Sequence, residues 1–557
     1  MIGSIKKRTV VGGALGEDVH VAGVVKFLKL AAEGGWNTEY LGPAVSIQNF
    51  IQALKKYNAE LGAVSYRLTP ETGKSLLIQL KEAIEKEGLM TRFVFGGTPV
   101  VVEEAEKLGL FEKCFSGSES DESTLSFLKG ELLTKTEQKA FSQTFVDRLT
   151  WSHPFPLIRH HFGLPDVDST IDGIKKISDS MILDVISLGI DQDAQENFFH
   201  PERQDQRSSG AGGVPVRTPQ EYKLLHDASR RGNFPLMRVY SGTDDQLKLA
   251  EIYVKSLNNA WCATSIYWFN QLDKRGPLNL KESIEIHQEL MRWHSDRNIP
   301  IEVNEPHQWG MREAPDIIYA TTSYLSAYNA KKMGVRDYIA QYMFNCPAGM
   351  SDKMDLAKML ACIELSESLS DANFKIYRQT RTGLLSYPVD PAAARGHLAS
   401  SVYLQMALKP HIIHVVGASE AHHATSAEEL IESVSIARRA IQNALRGIPD
   451  MTYDPSIQKR KNELLSEVKL TLNAIRLLSN NDDKDPLSDP GTLTRAVERG
   501  VLDAPHLQGN SIAQGKIMTQ TINGRCLAID ADNLKPITEM ERLKTLGFSP
   551  SDLKSSR

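Results

Sequence analysis

The chain alternates short apolar runs with amphipathic helical patterns along most of its length. In the N-terminal region, β-rich runs at 8–14, 38–41, 61–66, 92–95 and 113–115 alternate with helical periodicity at 21–32, 46–57, 71–86 and 122–129. Apolar runs of this length between helices predict parallel strands that are buried on both faces. We therefore expect a flavodoxin-like (Rossmann-like) α/β domain, with helices on both sides of the sheet.

A second region of alternation extends from about residue 151 to 450. Its eight β-rich runs lie at 157–161, 181–188, 236–240, 262–269, 301–303, 338–342, 374–377 and 412–416. Eight such units in about 300 residues predict a TIM-type (β/α)8 barrel. The polar segment 131–147 predicts a helical linker, and 456–478 predicts a charged helix. The expected organisation is a first domain at 1–135, a linker at 136–150, a barrel at 151–450 and a C-terminal extension at 451–557.

Composition and charge are those of a soluble globular protein, with 41% hydrophobic and 24% charged residues. A net charge of −5 provides no basic field for nucleic acid or an anionic membrane. The apolar run at the N-terminus is too short for a signal peptide or a spanning helix. The five scattered cysteines form no CxxC pair, as is typical of reduced cytosolic thiols. These features predict a cytoplasmic protein.

Three groups of residues follow predicted strands of the first domain, at the edge where such sheets bind ligands. They are Asp18-Val19-His20-Val21-Ala22-Gly23, Ser65-Tyr66-Arg67 and Gly96-Gly97. A histidine on a loop can coordinate a metal through one ring nitrogen, and a carboxylate two residues earlier can accept the proton of the other nitrogen. The glycines admit a bulky ligand against the backbone. These strand ends can therefore admit a bulky ligand, and His20 is able to coordinate a metal there.

These groups resemble the cobalamin-binding domain of base-off, His-on enzymes, which carry Asp-x-His-x-x-Gly, then Ser-x-Leu, then Gly-Gly. The gaps between the groups, forty-one and twenty-eight residues, are usual in that family. The resemblance implies that His20 is the lower ligand of the cobalt of cobalamin and that Asp18 orients it. It also implies that Ser65 and the glycines line the slot for the displaced nucleotide tail. Arg67 departs from the pattern, which has leucine there.

Polar residues also fall near the ends of the predicted barrel strands, where the active sites of such barrels lie. They are Arg159, His160, His161, Asp191, Gln192, Arg238, Tyr240, Asn270, Asn304, Glu305, His307, Gln341, Asn345, Arg378 and Glu420. His411 and His414 occur in a β-rich run, where residues three apart point to opposite faces. Their spacing therefore does not indicate a metal site.

The barrel and the tail are similar to the catalytic chain of glutamate mutase (methylaspartate mutase). The similar segments are, in order, Trp261, Asn304-Glu305-Pro306, Glu420-Ala421, Gly500-Val501-Leu502-Asp503-Ala504-Pro505 and Gly515-Lys516. In glutamate mutase the two domains are separate chains, whereas here they are fused. The resemblance implies an adenosylcobalamin-dependent radical mutase, an isomerase that rearranges the carbon skeleton of a small carboxylic acid. It also implies a homodimer, by analogy alone.

The resemblance assigns Glu420 to the ribose of the adenosyl group, although a carboxylate near a helix start is an equally good interpretation. Glutamate mutase binds its two substrate carboxylates with three arginines at strand ends. The corresponding positions here are His161, Gln192 or Gln195, and Tyr240. We therefore expect a substrate other than glutamate, with fewer charges to neutralise. The alternative is that Arg159 and Arg238 restore a dicarboxylate site.

Two other functions stay open at this point. A corrinoid methyltransferase also uses His-on cobalamin and a barrel, but the barrel and tail resemble the mutase chain, and no zinc–thiolate cluster is evident in the sequence. A non-catalytic cobalamin sensor or carrier would not need a large barrel with many polar strand ends. The sequence favours the mutase.

Overall fold

The computed structural model describes residues 8–117, 119, 121–129, 141–480 and 484–554. The chain forms two compact units, Met1–Ala140 and Phe141–Arg557. Residues 136–140 of the predicted linker lie outside the described residues, as does most of the segment 131–147 that was predicted to be helical. The second unit begins with a short helix, α6 (Phe145–Ser152), which Thr144 caps by accepting from the backbone N–H of Asp147.

The first unit is a parallel five-stranded sheet with helices on both faces, which confirms the predicted flavodoxin-like fold. Its strands are β1 (Thr9–Ala14), β2 (Asn37–Tyr40), β3 (Leu61–Tyr66), β4 (Arg92–Gly97) and β5 (Lys113–Phe115), in the order β2-β1-β3-β4-β5. Its helices are α1 (Ala22–Glu33), α2 (Ile47–Lys56), α3 (Pro70–Glu87), α4 (Pro99–Lys107) and α5 (Asp121–Lys129). Separate apolar clusters cover the two faces of the sheet. Only α4 was not predicted, because its first turn is rich in valine, which favours strands.

The second unit contains eight parallel strands, each followed by at least one helix, which confirms the TIM-type barrel. The strands are β6 (Leu157–Phe162), β7 (Val185–Leu188), β8 (Leu236–Val239), β9 (Cys262–Thr264), β10 (Ile301–Val303), β11 (Asp337–Phe344), β12 (Lys375–Thr382) and β13 (Ile412–His414). The helices are α7 (Val167–Asp179), α8 (Gln192–Glu196), α9 (Pro219–Ala228), α10 (Gln246–Leu257), α11 (Leu280–Ser295), α12 (Glu305–Gly310), α13 (Asp316–Lys332), α14 (Asp352–Glu367), α15 (Pro391–Gln405) and α16 (Ala427–Leu445). A bridge between Tyr240, just after β8, and Ala263 of β9 closes the ring of strands.

Three predicted barrel strands differ from the observed ones by more than two residues at one end. The run 181–188 forms a strand only from Val185, because Met181 has a left-handed backbone with a φ of 57°. The run 262–269 ends as a strand at Thr264, and the residues after it form a loop. The run 374–377 instead continues to Thr382, through polar residues that hydrophobic patterning does not identify as a strand.

Local sequence signals explain where several helices begin and end. Capping boxes start α9 at Thr218 and α16 at Ser426, where a hydroxyl oxygen accepts from a backbone N–H three residues later. Pro70 occupies the first turn of α3, where its missing N–H costs nothing, and Gly88 ends this helix in the left-handed conformation with a φ of 58°.

The C-terminal extension packs against the barrel and shares its core. It contains α17 (Pro455–Leu477), α18 (Pro490–Glu498), β14 (Met518–Ile522), β15 (Arg525–Ile529), α19 (Glu539–Thr545) and α20 (Pro550–Lys554). Apolar residues of α17 and α18 belong to the same buried cluster as residues of α13 and α14. Among the described residues, no helix has both the length and the apolarity needed to cross a membrane.

Asp503 joins two separate segments of the tail that resemble the mutase chain. Its Oδ1 accepts from the backbone N–H groups of Ala504 at 3.0 Å and Gly515 at 2.9 Å. Its Oδ2 accepts from Lys516 at 2.9 Å and Ile517 at 3.2 Å. Because the Asp503 side chain is buried, these N–H groups have no water to bind if the carboxylate is lost. One carboxylate thus determines the geometry of both segments.

We predict that Asp503→Asn lowers the free energy of unfolding of the second unit by about 2–4 kcal/mol, because an NH2 group then faces backbone donors. Urea titration followed by tryptophan fluorescence measures the effect, since five of the six tryptophans lie in this unit. Asp532→Asn is the matched control, because Asp532 is exposed. Equal midpoints for the two variants would contradict this role of Asp503.

Candidate functional site

A cavity of about 360 Å³ opens at the carboxyl edge of the first sheet. Six of the seven residues singled out in this domain line it: His20, Gly23, Ser65, Arg67, Gly96 and Gly97. Apolar side chains, including Phe27, Phe95 and Phe115, form the rest of the wall. The cavity therefore combines one metal-ligating side chain with an apolar slot along the sheet.

Asp18, the seventh residue, lies fully buried beneath the His20 loop. Its Oδ1 accepts from the backbone N–H of His20 at 2.8 Å and lies 2.8 Å from the Nδ1 atom of the same residue. A carboxylate can only accept, so the ring proton of His20 is placed on Nδ1. The His20 side chain is 52% exposed, and its Nε2 atom remains available as a metal ligand.

The second oxygen of Asp18 connects this loop to the next strand end. Asp18 Oδ2 accepts from the backbone N–H of Arg67 at 2.7 Å. The residue after β3 thus supports the His20 loop through its main chain. The presence of arginine instead of leucine at this position leaves that contact in place.

Small and polar residues leave space at the other strand ends of the cavity. A Cβ atom added at Gly23 or at Gly96 would meet nothing within 4 Å, and the hydroxyl of Ser65 is buried without a hydrogen-bond partner. The loop after β5, which sequence reasoning missed, completes the lining. There, Glu119 accepts from the backbone N–H groups of Ser116 and Gly117 at 3.0 and 2.9 Å. Its position after a strand of the same sheet is the signal that could have identified it.

In the barrel, a buried carboxylate organises the interior. Glu302 of β10 accepts from Arg159 of β6 at 2.7 Å and from Arg238 of β8 at 2.6 Å. It also accepts from the indole N–H of Trp261 at 2.6 Å and from the amide of Gln341. Burial alone would raise the pKa of Glu302, but the two arginines lower it to about 2. One anion on β10 thereby holds residues from four other strand segments.

Three histidines accompany this network: His161, His307 and His414. The rings of His161 and His414 stack with their centroids 4.8 Å apart. Burial holds the pKa values of these two rings well below the ordinary value, and the positive charge of Arg159 is the next largest cause. Burial and the charge of Arg381 do the same for His307. The three rings are therefore neutral near pH 7, and each can donate and accept a hydrogen bond.

The other predicted barrel residues occupy different environments. The hydroxyl of Tyr240 is buried without a hydrogen-bond partner, and burial raises its pKa well above the ordinary value. Glu420 Oε1 accepts from the backbone N–H of Gly417 at 2.6 Å and lies 3.1 Å from His160 Nε2, although not in hydrogen-bond geometry. Gln192 is exposed and donates to Glu196 on its own helix, so its contact is local.

Sequence reasoning missed the arginine at the carboxyl end of β12. It identified Arg378, which instead pairs with Glu367 through two hydrogen bonds of 2.6 and 2.9 Å. The strand continues to Arg381, which lies in register with Met343 and His414. Side chains alternate between the two faces of a strand, so Arg381 shares a face with Gln379, which accepts from Arg159 in the interior. This alternation is the signal that could have identified Arg381.

Comparison with protein families matches residues 137–546 to the methylaspartate mutase E chain. The match covers about three quarters of the sequence and includes the whole barrel and most of the tail. The chain belongs to the methylaspartate mutase E chain family. Comparison with curated proteins gives no match.

Solved structures that are similar to this E chain family member share little sequence with it. A cobalamin-binding protein from Desulfitobacterium hafniense DCB-2 is 21% identical, with a TM-score of 0.20, over 23% of this chain and 60% of its own. The methanol:cobalamin methyltransferase complex MtaBC from Methanosarcina barkeri is 20% identical, with a TM-score of 0.20, over 23% of this chain and 50% of its own. Apo OxsB, a cobalamin-dependent S-adenosylmethionine radical enzyme, is 11% identical, with a TM-score of 0.18, over 88% and 71%. Such values assign no function, and the chain spans less than two thirds of the first two structures.

We predict that Glu302→Gln lowers the free energy of unfolding by about 3–5 kcal/mol at pH 7, because two buried arginines lose their counter-charge. The pKa of Glu302 is lowered from 4.5 to about 2, so its ionised form stabilises the fold above pH 4.5. This stabilisation is lost as the pH falls from 4.5 towards 2. The difference between wild type and variant should therefore shrink over this interval.

Urea titrations at several pH values measure this difference. Glu289→Gln on α11 is the control, since Glu289 is exposed. A pH-independent difference between wild type and Glu302→Gln would contradict the assigned charge pairing.

Proposed function

We propose that this member of the methylaspartate mutase E chain family is an adenosylcobalamin-dependent carbon-skeleton mutase whose substrate is a small carboxylic acid other than glutamate. The observation that carries the proposal is the His20–Asp18 pair at a cavity in the same chain as the E chain barrel. When bound, adenosylcobalamin supplies the radical chemistry, and the protein supplies position, electrostatics and exclusion of water.

The residues at the first cavity fit a cobalamin. His20 would be the lower ligand of cobalt through Nε2, because Asp18 holds the ring by its Nδ1 side. The free hydroxyl of Ser65 and the open space at Gly23 and Gly96 suit a large polar group that lies along the sheet. Buried polar atoms without partners are uncommon in folded proteins, so the Ser65 hydroxyl supports a ligand at this position.

In the barrel, the proposed roles follow from which atoms are already engaged. Glu420 uses Oε1 for the backbone of Gly417, which leaves Oε2 to accept from a hydroxyl such as that of a ribose. Arg159 forms hydrogen bonds with Glu302, Gln379 and His161, so its charge is already paired with Glu302 inside the barrel. This engagement supports a substrate other than the dicarboxylate glutamate.

We predict that Asp18→Asn weakens the binding of adenosylcobalamin by about 10–100-fold, because the second ring nitrogen of His20 loses its carboxylate partner. His20→Ala should abolish the spectrum of the His-ligated form. Anaerobic absorbance titration of the full chain measures both effects. Glu17→Gln is the matched control, since Glu17 is the exposed neighbour of Asp18. Equal affinities for the Asp18 and Glu17 variants would reject this role of the pair.

The reaction itself is tested by adding candidate acids to the loaded protein. The proposal expects that one acid decreases the alkylcobalt absorbance band and yields a rearranged carbon skeleton by NMR, and that glutamate does neither. Cofactor binding accompanied by methyl transfer from methylcobalamin to a thiol would favour a methyltransferase instead. Cofactor binding without a response to any acid, and without methyl transfer, would favour a carrier.

A further inference from the structure

Arg381 is a guanidinium in the barrel interior without a counter-ion. Its Nε is buried without a hydrogen-bond partner, and among the described residues its side chain forms no ion pair or hydrogen bond. Burial lowers its pKa, and the nearby negative charge of Glu420 only partly offsets this. Arg381 is half-buried, and a cation withdrawn from water without a partner costs free energy, so such a group is retained where a ligand supplies the missing charge.

The other two interior arginines are already engaged. Arg159 and Arg238 both bind the carboxylate of Glu302, and Arg159 also contacts Gln379 and His161. Arg159 precedes His161 by two residues on β6. The ion pair of Arg159 with Glu302 therefore lies one layer further from the carboxyl ends of the strands than His161 does. Of these three arginines, Arg381 is the one whose side chain forms no hydrogen bond or ion pair within the described part of the chain.

Several uncharged hydrogen-bonding groups of the barrel interior also lack partners. His414 is the register partner of Arg381 on β13, and both ring nitrogens of His414 are buried without partners. His307 Nδ1 and the hydroxyl of Tyr240 are also buried and unsatisfied. These groups can bind hydroxyl, carbonyl or amide groups of a ligand, but they supply no second positive charge.

We infer that Arg381 binds the single carboxylate of the substrate, and that His414, His307 and Tyr240 bind an uncharged polar group at its other end. The inference rests on the proposed function and names the class of acid, a monocarboxylate. A guanidinium binds a carboxylate through two parallel hydrogen bonds. A phosphate monoester carries about −1.5 to −2 charge and would need further cations, and a dicarboxylate would need a second free guanidinium.

Calorimetric titration of the full chain with sodium butyrate, butyramide, glutarate and methyl phosphate tests the inference. Wild type should bind butyrate at least about tenfold more tightly than the other three. Arg381→Gln should weaken butyrate by about tenfold or more and should bind butyrate and butyramide alike. Arg378→Gln is the matched control, because Arg378 lies on the same strand and pairs with Glu367 instead. This control should keep the affinity of wild type for butyrate.

A thermal melt separates a binding role from a structural one. Removal of an unpaired, half-buried charge should leave the unfolding midpoint of Arg381→Gln equal to or above that of wild type. An unchanged butyrate affinity in this variant, a lowered midpoint, tighter binding of glutarate or methyl phosphate, or no butyrate binding by wild type would each overturn the inference. The separate cobalamin titration reports on the proposed function, so failure of one is distinguishable from failure of the other.

Discussion

The barrel depends on one buried carboxylate. Glu302 reaches arginines from β6 and β8, an indole that precedes β9 and an amide from β11, while it extends from β10. Most barrel interiors are filled by branched apolar side chains. Here a charged network fills part of that space. Because the carboxylate and the two arginines neutralise each other, this polar interior is compatible with folding. Burial lowers the pKa of the nearby His161 and His414, and the positive charges of Arg159 and Arg238 lower it further.

The two candidate sites use their polar groups in different ways. In the first unit, Asp18 is saturated by main-chain N–H groups and one ring, so that a single atom, Nε2 of His20, remains reactive. In the barrel, the guanidinium of Arg381 and the ring of its register partner His414 are left unsatisfied, as are His307 Nδ1 and the hydroxyl of Tyr240. The first arrangement suits one strong bond to a fixed atom. The second suits recognition of a small molecule by several weaker contacts.

Much of the fold follows from hydrophobic patterning, since buried parallel strands are continuous apolar runs. The five strands of the first sheet and the eight of the barrel were all predicted, and so were the residues around His20, because strand ends are easy to locate there. At the candidate site in the barrel, the failures occurred where the interior is polar. The strand β12 ends in Arg-Gln-Thr-Arg-Thr, which has no apolar signal, so Arg381 was overlooked. His414 was set aside together with His411, although only His414 faces the interior.

The tie between Asp18 and position 67 has a consequence for how related chains vary. The carboxylate binds the main-chain N–H of residue 67 and makes no demand on the side chain there. Nineteen of the twenty amino acids carry this donor, and proline alone lacks it. A change from leucine to arginine at position 67 therefore leaves the hydrogen bond to Asp18, and with it the orientation of His20, unaffected. A search for this type of site should accept any residue at that position except proline.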